Sequence, residues 1–392
     1  MKDIIVSNKV HYLGTNDRKK HLFENNWPLP NGVAYNSYLI ADEKSALIDT
    51  LEFGSKNDYL DEIDGILNGR ALDYLVINHM EPDHAGMIGM MLRNYPTLKI
   101  VGNIKTFKML EAYYNLTGER FVEVKDGDII NLGYHNLSFV LTPWVHWPET
   151  MMTYDNTDRI LFSCDAFGSF GTLDGGIFDD EINFEPYFMD EMRRYYSNIV
   201  GKYSHMVQKA LAKLEGVPVK YVCPSHGPVW RKDPQKPITL YNNWSKHVSE
   251  EGVVIAFASM YGNTEKMADY IARLIAERGI KNIKIHDVSK THISYIISDI
   301  WRYKAVILGS CAYNTEMHPM MVHLCHELEV VNPKDKNYAL FGSFSWSGGG
   351  LKSLQTFSQK MCWNLVSDPV ELIGSPSLAK MEGFRLMANK II

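Results

Sequence analysis

Five short strand candidates, at 253–258, 283–287, 305–310, 338–344 and 370–373, punctuate the last third of this chain. Helical patterns lie between them, for example Glu265–Arg278 and Leu351–Asn364. Strand and helix alternating at this spacing leave few folds open. Parallel strands need crossover connections, and a helix is the usual one. The expectation is a doubly wound parallel five-stranded sheet whose ligands sit beyond the carboxyl ends of the strands.

The preceding part reads differently. Strand-like runs occur at 46–49, 72–77, 100–102, 137–141 and 160–163, with helical patterns near Lys105–Tyr114 and Tyr187–Leu214. A polar, proline-bearing stretch, Arg231–Pro237, precedes the abrupt apolar run at 253. A domain boundary is expected near residue 250, giving domains 1–250 and 251–392.

Composition excludes several function classes. Of 392 residues, 45% are hydrophobic and 22% charged, the balance of an ordinary globular protein. A net charge of −6 creates no field that would attract nucleic acid or an anionic membrane surface. No apolar stretch approaches ~18 residues, so no membrane span is expected. Met1–Lys9 lacks the apolar core of a secretory signal, which points to a cytoplasmic location. The five cysteines (Cys164, Cys223, Cys311, Cys325 and Cys362) are odd in number and include no Cys-x-x-Cys pair. They read as free thiols in a reducing compartment, with no thiolate set for an iron–sulfur or rubredoxin-like module.

His79-Met80-Glu81-Pro82-Asp83-His84 follows the run at 72–77. Four candidate ligands on a bend at a strand end offer nitrogen and oxygen donors without sulfur, a set that suits iron, manganese or zinc. Pro82 is expected to stop regular structure there. Three further candidates, His146, Asp165 and His226, each follow an apolar run, at spacings of 62, 19 and 61 residues from His84 onward. Singly, each reads as a loop hydrogen-bonder or a helix cap; their joint occurrence at strand ends is far more specific.

A second constellation lies in the last third. Ser259-Met260-Tyr261-Gly262-Asn263-Thr264 follows the first strand and opens a helix. Small hydroxyl and amide side chains at a helix N-terminus form a phosphate cradle, and the missing Lys of a Walker A loop argues against triphosphate hydrolysis. Ser310-Cys311-Ala312-Tyr313-Asn314 and Ser345-Trp346-Ser347-Gly348-Gly349 follow later strands. The three loops should converge at one sheet edge, where glycines let backbone approach a flat ring and Trp346 or Tyr313 could stack on it.

The first constellation resembles the metallo-β-lactamase fold, an αββα sandwich whose motif is His-x-His-x-Asp-His, then a distant His, a bridging Asp and a final His. His79, Asp83, His84, His146, Asp165 and His226 match it, and Glu81 stands where the hydrolases carry their second His. A carboxylate there adds a hard anionic donor and favours a metal that must reach a higher oxidation state. The second constellation resembles flavodoxin, departing where Cys311-Ala312 replace the Pro-Thr common in relatives. In this order the two resemble the flavodiiron proteins, in the minimal class without fused redox modules.

That resemblance implies one iron on His79, Glu81 and His146, a second on Asp83, His84 and His226, and Asp165 between them. In some relatives the His matching His84 does not coordinate. It further implies non-covalent FMN, and reduction of O₂ to water, of NO to N₂O, or of both. Electrons would come from an external donor such as rubredoxin, a deazaflavin or a nicotinamide-linked reductase. A head-to-tail homodimer, or a dimer of dimers, would place each flavin against its partner's metals. His21, Phe23 and Trp147 are candidates for lining the substrate pocket. The rival readings are a zinc-type hydrolase with an attached flavodoxin domain, and an electron carrier with a structural metal site.

Overall fold

The computed structural model describes residues 3–116 and 118–391; the first two residues of the N-terminal stretch lie outside them. The chain forms two compact units. One comprises Met1–Tyr196 and Tyr203–Asn242, the other Ser197–Lys202 and Asn243–Ile392.

The first unit is built on two sheets. A seven-stranded sheet runs in the order Ile4–Ser7, Val10–Tyr12, Tyr38–Ala41, Ser45–Ile48, Tyr74–Val76, Lys99–Gly102, Phe121–Glu123. It is antiparallel as far as Ser45–Ile48 and parallel from there on. A five-stranded sheet runs Ile129–Asn131, Asn136–Leu141, Met151–Asp155, Ile160–Cys164, Tyr221–Pro224, and only its last pair is parallel. Strands Ser45–Ile48, Met151–Asp155 and Ile160–Cys164 are buried throughout, so Ala46–Ile48 and Ile160–Phe162 read as unbroken apolar runs rather than alternating ones. Side chains join the sheets: Tyr38 meets Phe162 at 5.3 Å between ring centroids, and Thr153 donates to Asn78 Oδ1 at 2.7 Å.

The second unit carries the expected sheet. Its order is Ile283–Asp287, Glu250–Ala258, Tyr303–Tyr313, Asn337–Phe344, Val370–Ile373, every pair parallel. In strand sequence this is 2-1-3-4-5, the flavodoxin-like order. Two short strands are added: Asn364–Leu365 beside Asn337, and Glu316–Met317 folded back on the end of Tyr303–Tyr313. Helices Asn263–Glu277 and Glu382–Lys390 cover one face, burying Met267, Ile271, Ile275, Phe384 and Met387 against Ile255, Ile307 and Phe341. Each such side chain contributes about 1.5–3 kcal/mol.

Two local expectations are corrected. Pro82 does not end regular structure; it opens a short helix, Pro82–Ala85, at the first-turn position where no backbone N–H is needed. The pattern over 187–214 is not one helix. It breaks into Phe184–Tyr187, Met189–Tyr195, a wide π turn at Tyr196–Val200, a 3₁₀ turn at Gly201–Tyr203 and Ser204–Lys213. Gly201 marks the break: a Cβ there would lie 2.8 Å from the Trp301 ring. Ser197–Lys202, from the middle of this segment, belongs to the second unit. No described helix is long and apolar enough to cross a membrane.

Candidate metal centre and flavin cradle

The metal candidates reach one place because strand ends deliver them and buried polar contacts hold each bend. Asp49, in a left-handed conformation (φ 54°), accepts from the Asn78 backbone N–H at 2.7 Å and its side chain at 3.1 Å. This fixes the residue before His79. Thr50 donates to the His84 carbonyl from both its backbone N–H and its hydroxyl, each at 2.7 Å, and so anchors the ligand helix. A register shift between Phe162 and Cys164, with Cys164 also left-handed (φ 56°), re-aims the chain into Asp165. Asn36 Nδ2 donates to the Pro224 and Gly227 carbonyls, both at 2.9 Å, and secures the bend carrying His226.

The result is two donor sets sharing one carboxylate. Asp165 Oδ2 lies 3.4 Å from His79 Nε2 and 3.2 Å from His146 Nε2. Glu81 Oε2 completes that set, at 3.2 Å from His79 Nε2 and 3.1 Å from His146 Nε2. The other oxygen, Asp165 Oδ1, lies 2.9 Å from His84 Nε2 and 3.4 Å from His226 Nε2. Asp83 completes the second set, at 3.4 Å from His84 and 3.2 Å from His226. All seven residues are buried.

Lone pairs facing lone pairs need cations between them. Both oxygens of Asp83 and of Asp165, and Nε2 of His84, His146 and His226, are buried without a hydrogen-bond partner. Protons alone would have to bind tightly here. Burial works to lower His146 and His226, but the close carboxylates, Asp165 first, push them up to about 9 and about 10. Burial works to raise Asp165, yet the surrounding imidazoles hold it well below the usual carboxylate range. Four imidazoles and three carboxylates, divided by the two oxygens of one aspartate, fit a pair of metal ions and supply no sulfur.

Further residues frame the set. Phe23 is buried edge-on to His226 at 5.4 Å, and half-buried Trp147 lies edge-on to His79 at 5.0 Å. His21, by contrast, is exposed. Sequence reasoning did not single out Glu149, whose Oε1 lies 2.7 Å from His79 Nδ1. Its position three residues after His146, in the same loop, was the available signal. It also passed over Tyr195, which sits buried between Phe23 and His226, and Glu24, which holds Trp27 Nε1 at 2.9 Å. The desolvation around Glu24, then the Glu81 charge, pushes its carboxyl up to about 7.

In the second unit the three expected loops converge. Ser259, Met260, Tyr261, Asn263, Thr264, Cys311, Ala312 and Ser345 line one cavity. Gly262 (φ 86°) turns the chain into helix Asn263–Glu277, and its N–H donates to Ser259 Oγ at 3.0 Å. Thr264 and Ser343 hydroxyls meet at 2.9 Å across two loops. Tyr261 and Trp346 stand out from this edge, 92% and 79% exposed, with Tyr313 partly so. Asn314, Ser347, Gly348 and Gly349 belong to the same loops but do not line the cavity itself. Ser310 is turned away: it is buried, donates to the Cys311 carbonyl and accepts from His318 N–H.

Comparison with known proteins agrees with both halves. The ODP family of beta-lactamases matches residues 33–227 and the flavodoxin family residues 255–365. The anaerobic nitric oxide reductase flavorubredoxin of Escherichia coli O1:K1 is 33% identical over 384 residues, 94% of this chain and 80% of that protein. The solved structure of rubredoxin oxygen:oxidoreductase from Desulfovibrio gigas superposes with a TM-score of 0.94 at 30% identity, covering 100% of this chain and 98% of the other. The flavodiiron protein of Giardia intestinalis superposes with the same score at 25% identity, covering 100% and 96%. With two sheets meeting at a two-metal donor set, a flavodoxin-like second unit and relatives of this extent, the chain belongs to the flavodiiron protein family.

Proposed function

We propose that this chain is an oxidoreductase that reduces O₂ to water, NO to N₂O, or both, at a pair of non-haem irons supplied with electrons through FMN. The observation that carries this is the division of Asp165: one oxygen faces His79, Glu81 and His146, the other Asp83, His84 and His226. Those seven side chains would hold the irons. When bound, the pair would supply electrons to a diatomic ligand and a place to bind it. The chain itself fixes the ligands, excludes bulk water by burying them, and sets Phe23, Trp147 and Tyr195 against their imidazoles. Glu81 favours this redox reading over hydrolysis, because its carboxylate lowers the charge of the site where zinc hydrolases keep an imidazole.

The loops at 259–264, 311–314 and 345–349 would hold FMN, with the phosphate at the N-terminus of helix Asn263–Glu277 and the ring beside Tyr261 and Trp346. Ser310 would support the middle loop from behind. The functional division falls near residue 250. The active unit is a head-to-tail homodimer, or a pair of them, with each flavin serving its partner's irons; the exposed Tyr261 and Trp346 support a covering partner. Electrons come from a separate carrier, rubredoxin, a deazaflavin or a nicotinamide-linked reductase, in the cytoplasm.

Anaerobic reduction of the purified protein, followed by separate exposure to O₂ and NO, tests the reading on samples assayed for iron and flavin. Reoxidation by at least one gas, with two irons and one FMN per chain, is expected. Bound zinc with hydrolytic turnover and no gas consumption would overturn it. Heterodimers of an FMN-loop variant and a metal-site variant should recover activity, and their failure would remove the head-to-tail arrangement.

A further inference from the structure

We propose that Glu149, which faces away from the metals, makes the two metal positions inequivalent by acting as a positioning residue for His79. The inference rests on the two-metal reading above. His79 turns Nε2 toward Glu81 and Asp165, and Nδ1 toward Glu149 Oε1 at 2.7 Å. Met80 N–H lies 3.1 Å from the same Nδ1 but closer, at 2.9 Å, to Glu149 Oε1, which accepts it; a carboxylate only accepts, so Nδ1 carries the ring proton toward Glu149 and Nε2 keeps its lone pair for the metal.

The carboxylate is built into place. Its Oε1 also accepts the Met80 backbone N–H at 2.9 Å, and the Glu149 carbonyl accepts from Asn103 Nδ2 at 2.6 Å. His79 and Glu149 are 0% and 1% exposed, so solvent screens this charge little. Glu149 Oε2 is buried without a partner, which leaves the negative charge directed at the imidazole.

The other position lacks such support. His226 Nδ1 faces a neutral acceptor, the Ala34 carbonyl, at 2.9 Å. His84 Nδ1 is buried without a partner. A carboxylate behind a ligating imidazole raises its basicity and fixes its orientation, whereas a carbonyl does less and an empty side nothing. The metal held by His79, Glu81 and His146 is therefore the more tightly bound of the two and the easier to oxidise.

The test uses the full-length apoprotein titrated anaerobically with ferrous iron against a chelator, in the wild type, Glu149→Gln and Glu149→Ala. Glutamine can still accept the His79 N–H, so it removes charge while sparing the bond; alanine removes both. Apoprotein circular dichroism establishes that each variant is folded, and Glu149→Gln alone carries the test if the alanine variant is not. Wild type should take up two ferrous ions with separable affinities. Glu149→Gln should weaken the tighter one by about 10–100-fold and leave the other unchanged. In ⁵⁷Fe Mössbauer spectra of the diferrous protein only one of two doublets should shift. Two wild-type affinities with unchanged doublets in Glu149→Gln would overturn the inference, as would equal losses at both positions. A wild type that fails to bind two ferrous ions would instead overturn the functional reading on which it rests.

Discussion

Lys336 is 1% exposed, and its ammonium donates to Ser249 Oγ at 2.7 Å, the Tyr303 carbonyl at 2.9 Å and the Trp301 carbonyl at 3.1 Å. All three acceptors are neutral. Burial, then the charge of Lys304, pushes the amine down from 10.5 to about 7. Between those values the unfolded chain binds a proton that the folded chain lacks, so stability rises with pH across the window. Below pH 7 the full penalty of burying the cation is present. The span from 10.5 to about 7 corresponds to about 5 kcal/mol at 1.36 kcal/mol per pH unit. The three acceptors favour the ammonium, which reduces the expected rise to about 2–5 kcal/mol. Lys336→Met should abolish it, while its stability at pH 7 changes by only about 2 kcal/mol, since losing the buried cation offsets leaving two carbonyls without this donor. His247 supplies an internal control. Burial, then Lys336, pushes it down from 6.5 to about 4, so its own rise lies below pH 6.5 and should persist, diminished, in the variant. Urea-dependent labelling of the buried thiol of Cys325 reads the second unit alone when mapped by mass spectrometry against an unfolded control. Equal pH slopes above pH 7 in wild type and Lys336→Met would refute the reasoning.

Three other perturbations have defined outcomes. Gly349 has φ 125°, and a Cβ there would fall 1.8 Å from the Thr315 carbonyl oxygen; Gly349→Ala should lose flavin while keeping iron, measured as absorbance per iron. Asn103 caps helix Ile104–Tyr114 by accepting from Lys105 N–H at 3.0 Å and Thr106 N–H at 3.4 Å, so Asn103→Ala should cost about 1–2 kcal/mol in thermal unfolding. Phe341 is fully buried beneath helix Glu382–Lys390, and Phe341→Ala should destabilise the second unit by about 3–5 kcal/mol by the same Cys325 assay.

The second unit was legible because its three central strands are buried on both faces and end in glycine-bearing loops; the half-exposed edge strands Ile283–Asp287 and Val370–Ile373 fall where their alternation with helices placed them. The small edge strands, such as Glu316–Met317, carry no apolar run and arise from tertiary pairing. In the first unit the strand-end position of each metal candidate was readable, since a ligand after an apolar run leaves a local trace. Glu149 leaves only its place in the His146 loop and Tyr195 none: each acts through a neighbour distant in sequence, His79 or Phe23, and only the fold brings them together. The helical period over 187–214 misled because residues on both sides of Gly201 are apolar at helical spacing, while close approach to Trp301 breaks the helix there.

The assignment of Ser197–Lys202 to the second unit bears on modularity. Asn198 Nδ2 donates to the Ser294 carbonyl at 3.1 Å, and Gly201 lies against Trp301, so this hexapeptide fills a place in the flavodoxin-like unit. The unit is thus encoded in two pieces, with Tyr203–Asn242 of the first unit between them. A single cut in the gene cannot release it whole: a fragment beginning near residue 243 would expose the Trp301 surface that Gly201 covers. Recombination that exchanged one flavodoxin-like half for another would have to carry the hexapeptide with it, or find a new way to seal that surface.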